Sequence, residues 1–138
     1  MTTNVLNEKI ESIRRCLDRI RSNTPGTFEE LAADVDAQDI LSVNFERAVQ
    51  LCVDISATII SEFGGESGSS MASLFEALAE KKILERTLTE RLVRAVSFRN
   101  LLVHQYKKID WALVHNLATN NLDDFKQFIL AIMRWKGE

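Results

Sequence analysis

A chain of 138 residues with 46% hydrophobic and 27% charged residues is one domain's worth of globular protein, long enough to remove about 70% of its unfolded surface from water on folding. No run of about eighteen uncharged apolar residues occurs, which excludes a helical membrane span; MTTNVLNEKIESIRR also reaches charge too soon to hold a signal-peptide core, so an intracellular, cytoplasmic product is expected. Net charge is −3, yet residues 81–108 hold eight basic residues against two acidic ones, the asymmetry of a protein that turns one face to phosphates.

One proline and five glycines leave few interruptions, and apolar positions recur at helical spacing throughout. A first helix is predicted from about Val5 to Arg21, with Val5, Ile10, Ile13, Leu17 and Ile20 near one face, and NTPG ends it. Thr27 with Glu30 is a capping-box pattern for a short helix through Ala33. From about Asp36 to Phe63 runs a long helix with Leu41, Phe45, Ala48, Cys52, Ile55 and Ile59 in steps of four and three, and Ile40, Val43, Val49, Leu51, Val53 and Ile60 on other faces. Such a helix is central in a bundle or shared with a second subunit.

GGESGSS, residues 64–70, connects to a helix predicted over Met71 to Leu84. Thr87 with Glu90 is a second capping-box pattern, placing the next helix across Leu88 to Tyr106. Asp110 is a cap for a helix through Leu117. Asn121, Asp123 and Asp124 open a last helix with Phe125, Phe128, Ile129 and Ile132 inward. The expectation is an all-α, antiparallel up-and-down bundle of four main helices plus short extra ones, with residues 1–138 as a single domain. Cys16 and Cys52, with no CxxC spacing, read as small core residues. His115 reads as structural, and Trp111 and Trp135 as core or interface anchors.

Within RNLLVHQY, residues 99–106, polar side chains interrupt an apolar helix end. Leu88, Leu92, Ala95, Arg99, Leu102 and Tyr106 lie on one seam, so a buried Arg99 must find an acceptor or a wet cleft. Five residues at about 100° each leave Arg99 and His104 about 140° apart around the axis. A two-fold homodimer that faces two copies of this helix would gather both side chains around one cleft.

Histidine serves as a general base or acid near neutral pH, and arginine matches phosphate oxygens with a forked donor pair. Without carboxylates in metal-ligand spacing, the pair fits metal-independent cleavage of RNA, the base activating the 2′-hydroxyl and the guanidinium steadying the phosphorane. Asn100 would orient the imidazole or the phosphate, and Tyr106 could stack on a base. Arg94, Lys107 and Lys108, from the basic segment, are candidate RNA contacts. No HExxH, EF-hand, GxSxG, CxxC or GK[ST] is present, and neither a metal nor a cofactor is expected. A non-catalytic bundle that binds nucleotide in the same cleft, or a purely structural dimer, remains an alternative.

RNLLVHQY fits R-N-x-x-x-H-x-Y and resembles the HEPN superfamily, in its HepT-like branch of small DUF86 proteins. The likeness extends to IDW beyond it and to DAQDILSVNFERAVQLCVDIS in the long helix. It implies a homodimeric bundle and an RNase toxin of a type II or type VII toxin–antitoxin pair. The implied partner is a small MntA-like nucleotidyltransferase antitoxin that silences the toxin by placing AMP on a tyrosine. By that likeness Arg99 and His104 are catalytic, Asn100 is the adjacent polar residue and Tyr106 is the modified tyrosine. The implied alternative is a non-catalytic HEPN bundle that assists a nucleotidyltransferase partner.

Overall fold

The computed structural model describes residues 2–64, 70–104 and 108–137. Among them are seven helices and no strand: α1 (Thr2–Asn23), α2 (Phe28–Ala32), α3 (Val35–Glu62), α4 (Met71–Glu80), α5 (Arg86–His104), α6 (Trp111–Asn120) and α7 (Asp123–Lys136). The all-α expectation holds, with α1, α3, α5 and α7 as the four main elements. None of the helices is long and apolar enough to cross a membrane.

The axis of the bundle is α3, whose 28 residues span about 42 Å. Helices α1, α2, α4, α5 and α7 all pack against it. That explains its apolar residues on several faces: Leu41, Phe45, Cys52, Ile55 and Ile59 are buried on one side and Val49, Val53 and Ile60 on others. Helix α1 lies along α3 with Leu6, Ile10, Ile13, Leu17 and Ile20 inward. Val5, expected on that stripe, is 44% exposed, and its neighbour Leu6 takes the inward position.

Phe45 meets the edges of Phe98 at 5.1 Å and Phe125 at 5.6 Å, joining α3 to α5 and α7. Phe75 and Phe128 join α4 to α7 in the same way, with centroids 6.0 Å apart. Edge-to-face packing suits the ring quadrupoles and adds to the burial itself. Cys16 and Cys52 are free and buried, and desolvation pushes both thiols up, so they stay protonated core residues at neutral pH.

Local signals set most boundaries. Thr27 Oγ1 accepts the Glu30 N–H, and Asp110 Oδ1 accepts the N–H groups of Ala112 and Leu113, as their spacing predicts. Asp34, ahead of the expected start, caps α3 by accepting the Ala37 N–H. Three boundaries differ. Helix α5 begins before Thr87, because the Glu85 carbonyl already receives the Thr89 N–H. Helix α4 stops at Glu80, where Lys82 turns left-handed at φ 62° and the Ile83 N–H donates to the Leu78 carbonyl. Asn121 closes α6, and the last helix opens at Asp123.

His115 is structural, its Nε2 lying 2.7 Å from the Pro25 carbonyl and tying α6 to the turn between α1 and α2. Trp111 and Trp135 are half-buried against the core, and Trp135 also stacks obliquely on Phe63.

Candidate active site at the end of helix α5

Packing of α5 against α3 decides where Arg99 goes. Its side chain is 16% exposed and turns to α3, where Nη2 lies 3.6 Å from Glu46 Oε1. Nη1 donates to Asn100 Oδ1 at 3.1 Å. The third nitrogen, Nε, is buried and has no acceptor among the described residues. A buried N–H without a partner is costly, so an incoming acceptor at Nε would be favourable.

Sequence reasoning did not find Glu46. It lies in another helix, and no spacing rule links positions 46 and 99. Asn100 was expected to orient the imidazole or a phosphate; its carbonyl oxygen serves the guanidinium instead.

His104 is exposed at the last position of α5, and no hydrogen bond joins it to Arg99. The two side chains therefore leave the helix in different directions, as five residues at about 100° each require. Beside them two apolar side chains face outward, Val43 on α3 at 41% exposure and Leu101 on α5 at 49%.

The expected RNA contacts are scattered. Arg94 is exposed and lines a cleft of about 430 Å³ between α5, α6 and α7, with Arg91, Leu101, Leu113 and Asn121. Asp124 closes that cleft; desolvation raises its carboxyl above the ordinary value, and Arg91 at 3.7 Å partly offsets the effect. Lys108 is exposed just past the end of α5. Tyr106 and Lys107 lie outside the described residues. No group of three or more His, Cys, Asp or Glu side chains converges among the described residues.

Against known protein families, residues 13–132 match the model described as ribonuclease HepT-like. The chain belongs to the HepT-like family. Among HepT-like relatives, the mRNA nuclease HepT of Shewanella oneidensis is 29% identical over 91% of this chain and 93% of its own. The tRNA nuclease HepT of Aphanizomenon flos-aquae is 24% identical over 77% and 72%. Among solved structures, a tri-AMPylated HEPN toxin of Shewanella oneidensis in complex with an MNT antitoxin superposes with a TM-score of 0.87 at 28% identity, covering 94% of this chain and 97% of that one. YutE of Bacillus subtilis, at 14% identity and a TM-score of 0.81, shares the HepT-like fold.

Proposed function

We propose that this chain is a cytoplasmic toxin, a metal-independent RNA endonuclease whose active site forms when two copies pair and bring Arg99 of one to His104 of the other. The observation that carries this reading is the state of Arg99: held by Glu46 and Asn100, with Nε buried and lacking an acceptor among the described residues. A phosphate oxygen supplies that acceptor and matches the charge. Exposed Val43, one turn before Glu46 on α3, and exposed Leu101, one turn before His104 on α5, support a pairing of two copies that would bring Arg99 of one to His104 of the other.

In the proposed reaction the His104 imidazole takes the proton of the 2′-hydroxyl, and the 2′-oxygen attacks phosphorus. The guanidinium of Arg99 holds the charge of the phosphorane. The bond from phosphorus to the 5′-oxygen breaks, and that oxygen leaves as an alcohol after taking a proton from an imidazolium of the site. The products are a 2′,3′-cyclic phosphate and a 5′-hydroxyl. Asn100 acts by fixing the guanidinium, and Arg94, Lys107 and Lys108 hold flanking phosphates.

The partner we propose is an MntA-like nucleotidyltransferase antitoxin that transfers AMP to Tyr106. Support comes from the AMPylated HEPN toxin seen with its MNT antitoxin. Tyr106 follows Arg99 by seven residues in the sequence, and in this reading an AMP phosphate on it competes for the guanidinium and excludes RNA by charge and bulk.

Purified wild type, with chelator present, is expected to cut RNA and to leave an all-deoxy strand of the same sequence intact. His104→Ala and Arg99→Ala each lower the rate by about 10² or more while keeping the dimer. Wild type modified with AMP on Tyr106 loses cleavage to the same degree. Intact RNA with the wild type, under conditions where it still binds, would favour the non-catalytic bundle, and undiminished cleavage by the AMP-bearing form would refute competition for Arg99.

A further inference from the structure

A groove of about 450 Å³ between α1 and α3 is lined by Arg15, Arg19 and Arg47, with Cys16 and Asn44 in its floor. All three arginines are exposed, and they line the same groove. Arg15 Nη2 donates to Ser12 Oγ at 2.8 Å, and none of the three pairs with a carboxylate among the described residues. Asp54, the acid in the lining, is already engaged by Gln50 Nε2 at 3.0 Å and Lys9 Nζ at 3.8 Å. Nearby arginines on α1 are matched instead, Arg14 with Glu11 and Arg21 with Asp18.

Three cations gathered with no carboxylate paired to them repel one another, and the arrangement becomes more favourable when an anion enters. The lining holds no aromatic side chain of the kind that anchors a protein partner, whereas forked guanidinium groups on polar walls suit phosphodiesters. Position also favours the nucleic acid. Arg47 follows Glu46 directly in α3, so the groove begins about 100° around that helix from the residue that holds Arg99.

We propose that Arg15, Arg19 and Arg47 form a second phosphate-binding surface that grips the RNA strand on the α1–α3 face, away from the bond that is cut. The inference rests on RNA as the substrate. It also means that the basic face continues into the part of the chain whose overall charge is negative.

The test uses full-length protein carrying His104→Ala, so that RNA stays whole, and a single-stranded oligouridine as the probe, with binding followed from about 0.05 to 0.3 M salt. Each phosphate contact with a single strand contributes about 0.7 to the slope of log affinity against log salt. Arg15→Gln/Arg19→Gln/Arg47→Gln should flatten that slope by about 2 and weaken binding about tenfold or more near 0.15 M salt. The matched triple Arg21→Gln/Lys126→Gln/Arg134→Gln, three exposed cations outside both the groove and the basic segment 81–108, should leave the slope within experimental error of the parent. Arg47→Gln alone, for the case in which the triple fails to fold, should remove about 0.7. An unchanged slope, or an equal fall in the matched triple, overturns the proposal, as does a triple that loses a protein partner while keeping the parent's RNA slope. Cleavage by wild type is read separately: its absence beside a flattened slope removes the nuclease and leaves the phosphate surface standing.

Discussion

Arg99 and Glu46 make a pair whose worth lies in geometry. With Arg99 at 16% exposure and Glu46 at 42%, solvent screens the attraction, and such pairs add little to stability. What the contact does is choose one direction for a long flexible side chain, leaving Nε buried without a partner among the described residues. Glu46 is therefore a positioning residue in the proposed site. Glu46→Ala is expected to lower kcat about tenfold or more with KM nearly unchanged, and Glu46→Gln, which keeps an acceptor oxygen, to restore most of it. Equal loss in both variants, or a change confined to KM, would show that Glu46 only neutralises charge.

Elements were read best where a side chain meets its own backbone. Thr27 and Asp110 cap their helices because a short oxygen-bearing side chain reaches an N–H two or three residues on. Thr87 matched the same pattern and does not cap, since α5 has already begun with the Glu85 carbonyl. The stop of α4 was unreadable for a related reason: it uses a Schellman arrangement with Lys82 where glycine is usual. Lys82 stands at φ 62°, a conformation that costs an L-residue about 1 kcal/mol or more. Lys82→Gly should then raise the unfolding free energy by about 0.5 to 1 kcal/mol in urea titration, with the slope of the transition unchanged. A loss of stability would mean that the lysine side chain contributes more than its backbone strain costs.

At the scale of the whole molecule, periodicity revealed the bundle but not the neighbours within it. The apolar residues on several faces of α3 fit either a central helix or a shared one, and the packing of five helices around it shows that it is central. Contacts between distant positions had no local signal at all. Glu46 with Arg99 is an example, and charge counted along the chain assigned α1 and α3 to the acidic remainder although three arginines line the groove between them. The motif RNLLVHQY was legible together with its constraint, that Arg99 and His104 diverge on one helix. The consequence we propose is an active site shared between two copies. The direct test is to co-express Arg99→Ala and His104→Ala chains carrying different tags, isolate the dimers and assay RNA cleavage. A shared site predicts that the inactive parents together regain about a quarter of wild-type activity, since half of the dimers are mixed and each mixed dimer holds one intact pairing. Mixed dimers that form normally yet remain as inactive as their parents would contradict it.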